Sequence, residues 1–258
     1  MNRINQLFSQ KQKDILSIYF CAGFPTLEGT VDTIKALEKK GVSMIEIGIP
    51  FSDPMADGPV IQHAATCALN NGMTLKLLFS QLKNIRPEVQ IPLVLMGYLN
   101  PIMQYGFENF CRTCQQTGID GVIIPDLPFK DYMEEYRPIA LKYDVKVIML
   151  ITPETSEARV REIDEHTDGF IYMVSSAATT GAQKDFDNQK QAYFKKIQDM
   201  HLRNPRMVGF GISNKQTFDA ACANSSGAII GSRFVTLLNE AEGDAEKAIT
   251  QLKEGLKK

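Results

Sequence analysis

The stretch Met44-Ile-Glu-Ile-Gly-Ile-Pro-Phe-Ser-Asp-Pro-Met-Ala-Asp-Gly-Pro59 decides how the chain is read. Alternation places Ile45, Ile47 and Ile49 on one face of a strand and Met44, Glu46 and Gly48 on the other, the period-2 pattern of a strand with two unlike faces. Pro50, Asp53, Pro54, Asp57, Gly58 and Pro59 then crowd one short segment, so the strand ends in a stiff, sharply turning loop. Two carboxylates, Glu46 on the strand and Asp57 on its exit loop, are expected near each other.

Outward from this stretch, apolar strand-like runs recur at 16–22, 92–98, 121–125, 145–151, 169–174, 207–211 and 228–231, eight in all with the run at 44–49. Helical periodicity occupies 31–40, 74–85, 107–117, 130–143, 156–166, 189–202 and 213–223, and a last helical run covers 232–257. Strands separated by helices call for parallel pairing with right-handed crossovers, and eight such units close into an α/β (β/α)8 barrel. An open doubly wound sheet would need a G-x-G-x-x-G after the first strand, and none is present. Residues 2–10, with Ile4, Leu7 and Phe8 at helical spacing, read as an N-terminal capping helix that plugs one end of the barrel. The segments 50–59 and 175–188 are long for a compact domain, which marks them as functional or mobile.

A chain of 258 residues with 44% hydrophobic content suits one such domain, 1–258. Lys plus Arg number 28 against 30 for Asp plus Glu, and no long basic run occurs, so neither nucleic acid nor an anionic membrane is called for. The first residues have no apolar signal-like region, and no window offers 18 consecutive apolar residues, so a cytoplasmic protein is expected. Five cysteines in apolar contexts fit free thiols in a reducing compartment. Cys111 and Cys114 form a C-x-x-C, but on a helix face and without a second pair.

A barrel presents its reactive groups at the carboxyl ends of strands, which singles out Glu46, Asp57, Tyr98, Asn100, Asp126 and Tyr172. If the isoleucine face packs under the helices, Glu46 points inward, where a partly apolar interior raises its pKa and suits it to move protons near neutrality. A structural acid bonded to a neighbouring strand is the alternative. For Asp57 the alternative is a helix N-cap. Gly209-Phe-Gly211 and Gly231-Ser232 follow the last two strands, where free N–H groups and a helix dipole favour an anion, and Thr180-Gly181 would add a third edge. The ligand this implies is a small phosphorylated metabolite, although a Gly-Ser pair also serves as an ordinary turn. His63, His166 and His201 are far apart in sequence and give no metal site or triad, and Lys146 lies before the active end of its strand.

Taken together, Glu46-Ile-Gly-Ile-Pro-Phe-Ser-Asp-Pro-Met-Ala-Asp-Gly-Pro59, Gly97-Tyr-Leu-Asn-Pro101, Pro125-Asp-Leu-Pro128, Thr180-Gly181, Gly209-Phe-Gly-Ile-Ser213 and Gly231-Ser232 resemble the α subunit family of tryptophan synthase, in order over nearly the whole chain. The resemblance implies a carbon–carbon lyase that cleaves indole-3-glycerol phosphate to indole and glyceraldehyde 3-phosphate, with no metal or organic cofactor in this chain. It implies Glu46 and Asp57 as the catalytic acids. Phe20, Tyr98 and Tyr172 would wall the indole slot, and Thr180, Gly181, Gly211, Gly231 and Ser232 would hold the phosphate. It also implies a pyridoxal phosphate-carrying β subunit that receives the indole in an α2β2 tetramer, met by Asp53, Pro54 and Asp126. The chain departs from the family pattern at Ala178, where many members have glycine, which puts the closing geometry of that loop in question.

Overall fold

The computed structural model describes residues 1–175, 188–209 and 211–257, with only the backbone of 188–190. Among these residues, nine strand segments form one parallel sheet: β1 (Ile15–Cys21), β2 (Met44–Gly48), β3 (Leu93–Met96), β4 (Gly121–Ile123), β5 (Lys146–Ile148), β6 (Leu150–Ile151), β7 (Ile171–Val174), β8 (Arg206–Gly209) and β9 (Gly227–Ile230). Their order is β5-β4-β3-β2-β1-β9-β8-β7-β6. The two ends of that order are halves of one strand interrupted at Met149. β5 pairs with β4, β6 pairs with β7, and the Tyr172 N–H donates to the Met149 carbonyl at 3.0 Å. The sheet therefore closes through residues 146–151, and the eight expected runs are the eight staves of a TIM barrel.

Helices fill the crossovers: α1 (Arg3–Gln10), α2 (Thr30–Lys39), α3 (Pro59–Asn70), α4 (Leu75–Leu82), α5 (Leu99–Tyr105), α6 (Phe107–Thr117), α7 (Phe129–Asp131), α8 (Arg137–Lys142), α9 (Glu157–His166), α10 (Asn188–Asp199), α11 (Lys215–Asn224), α12 (Ser232–Glu240) and α13 (Ala245–Gly255), with a π-helical turn, Tyr132–Tyr136, joining α7 to α8. The last helical run, read as one piece, divides at Glu242 and Gly243, both at positive φ, after which the Asp244 carboxylate accepts from the Lys247 N–H at 2.9 Å and starts α13. Helix α5 escapes the sequence pattern because Pro101 sits inside it. Pro101 falls in the first turn, where its missing N–H has no helical partner to lose.

Period-2 alternation sorts the strand residues into two cores. Ile18, Phe20, Ile45, Ile47, Leu93, Leu95 and Val122 face outward and pack beneath the helices. Ile15, Met44, Val94, Ile123, Ile148, Tyr172, Met207 and Ile229 face inward, and this inner set is continued by Ile4 and Phe8 of α1. Helix α1 thus stoppers the amino-terminal end of the barrel, as its spacing suggests. Asn2 anchors it by donating from Nδ2 to the carbonyls of Asp120 and Asp144, both at 2.9 Å. Asp120, nearly fully buried, receives Arg3 at 3.1 Å and Arg86 at 2.6 Å and also accepts from the Leu93 N–H. Lys146 pairs with Asp144 and Asp168 at this same end, so it is a structural cation.

Because Ile4 has no exposure at all and carries the plug into the interior, Ile4→Ala should destabilise the fold by about 3 kcal/mol. Urea unfolding should show a lower midpoint with an unchanged slope, and a loss under about 0.5 kcal/mol would mean that α1 is not part of the core.

Candidate active site

At the carboxyl end of the barrel the interior turns polar. Glu46 lies one pleat above Met44 on the inward face of β2 and is completely buried. Its Oε1 accepts from the Ser17 hydroxyl of β1 at 3.0 Å, whereas Oε2 is buried with no partner among the described residues. Burial pushes the carboxyl up to about 8, and the Ser17 hydrogen bond opposes that rise. Glu46 is accordingly mostly neutral at pH 7, with one oxygen uncommitted among the described residues.

Asp57 hangs over this position on the loop 49–58. The loop is held by short internal bonds, Met55 N–H to Asp53 O at 2.9 Å and Asp57 N–H to Pro54 O at 3.0 Å. The Asp57 carboxylate does not cap α3: the N-cap is Gly58, without a side-chain bond, and Pro59 opens the helix. Instead Oδ2 accepts from the Tyr98 hydroxyl at 3.0 Å, and the same hydroxyl accepts from the Ala56 N–H at 2.9 Å. Burial raises the Asp57 carboxyl to about 6 and the Tyr98 bond restrains the rise, so it is mostly ionised at pH 7. Burial raises the phenols of Tyr19 and Tyr172 well above the usual value, with Cys21 next at Tyr19, and both acids add to the rise at each. The four groups therefore face one space.

Three aromatic side chains wall it. Tyr98 is buried, with the Phe51 ring 5.3 Å from its own. Tyr172 projects inward from β7, and a Cβ at Gly209 would fall 2.0 Å from its hydroxyl. The third is Tyr19: a Cβ at Gly48 would fall 2.2 Å from its hydroxyl, and one at Gly231 would lie 3.4 Å from its ring. Glycines at 48 and 209 are what leave room for the two tyrosines. Phe20, expected in this wall, is not there. It lies on the outward face of β1, fully buried in the helix-covered core, and Tyr19, paired in register with Glu46, takes the inward position.

The candidate anion edge is partly visible. Gly231 is the N-cap of α12, and no side chain caps that helix, so the first N–H groups, beginning at Ser232, are available to a ligand. Gly211 follows β8 with φ +76°, a left-handed conformation suited to glycine. Thr180 and Gly181 lie outside the described residues, as does the departure at Ala178. Asp53 is exposed and Pro54 half-buried on the same loop as Asp57. Asp126, also exposed, accepts the Leu99 N–H at 2.8 Å and so fixes the start of α5 next to Tyr98. Sequence reasoning missed Ser17 and Tyr19, although the alternation Ile15, Ser17, Tyr19 carried the signal. Cys111 and Cys114 are both buried in the outer core, and no cluster of metal-binding side chains occurs among the described residues.

The profile of the tryptophan synthase alpha chain family matches residues 5–258. The tryptophan synthase alpha chain of Phocaeicola vulgatus is 81% identical over 257 residues, covering 100% of both chains. Among solved structures, the tryptophan synthase alpha chain of Legionella pneumophila superposes with a TM-score of 0.87 at 32% identity, over 99% of this chain and 96% of that one. A chain in the tryptophan synthase complex of Pyrococcus furiosus superposes at 0.85 with 32% identity, over 95% and 98%. No helix among the described residues is long and apolar enough to cross a membrane. With its TIM-barrel fold, a family profile over residues 5–258 and a relative 81% identical over its whole length, the chain belongs to the tryptophan synthase alpha chain family.

Proposed function

We propose that the chain cleaves indole-3-glycerol phosphate to indole and glyceraldehyde 3-phosphate, with Glu46 moving the protons and Asp57 balancing the charge. The observation that carries this reading is a fully buried Glu46 with one oxygen on Ser17 and the other unpartnered among the described residues, beside an Asp57 held by Tyr98, and burial pushes the first up to about 8 and the second to about 6. Neutral Glu46 delivers its proton to C3 of the indole ring, which makes the ring an electron sink. The positive charge that develops reaches the ring N–H, where ionised Asp57 stabilises it more than it stabilises the uncharged ground state. Glu46, now a carboxylate, removes the proton from the hydroxyl on the adjacent carbon. The carbon–carbon bond breaks, its electrons return to the ring, and the aldehyde forms. Tyr19, Tyr98 and Tyr172 flank the ring, while Gly211, Gly231 and Ser232, together with Thr180 and Gly181, cradle the phosphate.

The partner in this reading is a pyridoxal phosphate-dependent β subunit in an α2β2 tetramer, meeting the loop that carries Asp53 and Pro54 and the segment at Asp126. Supporting it, Met55 on that loop is 86% exposed and Met103 on neighbouring α5 is 53% exposed, an apolar display beside the site that a partner would cover.

Glu46→Gln, nearly isosteric but unable to move protons, should abolish indole release while leaving glycerol-phosphate binding largely intact; wild-type-like indole formation would sink the acid–base role. The same variant should be more stable than wild type at alkaline pH. The folded chain keeps the Glu46 proton between about 4.5 and 8, where the unfolded chain has lost it, so wild-type stability declines across that window. Denaturation at pH 5 and pH 9 should reveal a gap that widens with pH, on the order of a few kcal/mol.

For the wild type, kcat/KM should follow a bell with limbs near 6 and 8, set by Asp57 and Glu46. Tyr98→Phe removes the donor that restrains Asp57, so the acid limb alone should move upward. Movement of the alkaline limb instead would reverse the assignment. Titrating a β subunit into the purified chain should raise indole turnover manyfold and saturate near one β per α, and no response to the β subunit would argue for a free-standing lyase.

A further inference from the structure

We propose that Ser17 is a positioning residue that holds Oε1 of Glu46 as an acceptor in both protonation states and so makes Oε2 the oxygen that carries and delivers the reacting proton. The proposal rests on the assignment of Glu46 as the proton carrier. Ser17 stands on the inward face of β1, in register with Met44 on one side and Ile229 on the other. Met44 and Ile229 beside it, Ile15 one pleat below and Val94 beside Glu46 make its surroundings apolar, and Ser17 has no solvent exposure. A buried hydroxyl without a partner is costly, and the bond Ser17 makes among the described residues is the 3.0 Å bond to Glu46 Oε1.

Ser17 donates its hydroxyl hydrogen to Oε1, the one direction possible when Glu46 is ionised, and with Oε1 held as an acceptor the carboxyl proton of the neutral form falls to Oε2, the buried atom with no partner among the described residues. Oε1 then has the character of the carbonyl oxygen. The acid proton is thereby aimed by a bond that lies below the substrate space and is made before substrate arrives.

Other groups facing Glu46 do not supply this restraint. The phenols of Tyr19 on β1 and Tyr172 on β7, raised by burial and in part by the Glu46 charge, stay neutral, and Asp57 faces the same space from the loop 49–58. The neighbouring strand β3 presents Val94 and Met96, which have no titrating group. Loss of the Ser17 hydroxyl should therefore leave the carboxyl free to rotate and, because the bond favours the charged form, move its titration upward.

The test uses Ser17→Ala and Ser17→Thr in the full chain. The infrared difference spectrum between wild type and Glu46→Gln at pH 6 isolates the carbonyl stretch of neutral Glu46. In Ser17→Ala that band should shift to higher frequency, as for a carbonyl that has lost a donor, and titrate higher by about half a pH unit or more. In the same variant kcat should fall roughly tenfold with KM little changed, and the alkaline limb of the pH profile should rise with the band. Ser17→Thr should restore all of these toward wild type; where threonine is too bulky to fold, the spectrum and kcat of Ser17→Ala decide. An unmoved band in Ser17→Ala, or a moved band with wild-type kcat, overturns the positioning role. Turnover by Glu46→Gln would instead remove the proton-carrier assignment beneath it, whatever Ser17 does.

Discussion

The chemistry depends on keeping a carboxyl group out of water, and a closed, stoppered barrel is what does so. Glu46 is fully buried although it stands only one pleat above Met44. Its surroundings stay dry because the sheet has no open edge: the strand at 146–151 bonds to β4 with its first half and to β7 with its second. They stay dry from below because Ile4 and Phe8 fill the amino-terminal end, with the Phe8 and Phe170 rings 5.8 Å apart. Burial of Asp120 under Arg3 and Arg86 ties α1, α4–β3 and β4 together at that end. The burial that pushes Glu46 upward is thus set in a barrel closed around its sheet and filled at its opposite end.

Asp57 is governed by a different kind of restraint. It belongs to a loop rather than a strand, and its carboxylate is set by Tyr98, whose hydroxyl also receives the Ala56 N–H. Tyr98 is the N-cap of α5, and the first N–H of α5 is held by Asp126 from the loop after β4. Two hydrogen bonds, Leu99 N–H to Asp126 and Tyr98 hydroxyl to Asp57, are thus joined through the Tyr98–Leu99 peptide link. On the other side the Asp57 N–H donates to the Pro54 carbonyl. Asp53 and Pro54, proposed to meet a partner, therefore lie on the same covalent segment as Asp57, the acid proposed to balance the ring charge.

How much of this was legible in the sequence depended on contrast between faces. On β2, isoleucines on one side and Met, Glu and Gly on the other made the inward face readable, and Glu46 and Asp57 followed. On β1 the inward Ile15, Ser17 and Tyr19 alternate with the outward Leu16, Ile18 and Phe20, but the contrast is weak, with an aromatic ring on each face near the carboxyl end, and the resemblance points to Phe20 where Tyr19 stands. Only the pairing of Tyr19 with Glu46 resolves it. Helix α5 was hidden because Pro101 reads as a breaker unless it is known to fall in a first turn. Asp126 was read as an interface residue by resemblance, and its local task as an acceptor for α5 depends on a contact 27 residues away in sequence, which no local pattern encodes.

Ser17 shows the opposite kind of information, a residue that makes sense only once the interior is assembled. An alanine or valine there would suit the apolar layer formed by Ile15, Met44 and Ile229, and would remove the need to satisfy a buried hydroxyl. The hydroxyl is satisfied by one oxygen of an acid that is itself expensive to bury. The pair costs less than its members would separately, because the serine stabilises whichever protonation state Glu46 adopts while leaving the second oxygen free. Had both oxygens been bonded within the protein, the carboxyl would be better satisfied and its proton less available. In the proposed reaction the incomplete hydrogen bonding of Glu46 is what leaves its proton available, and the strand that supplies its partner among the described residues also presents Tyr19 to the same space.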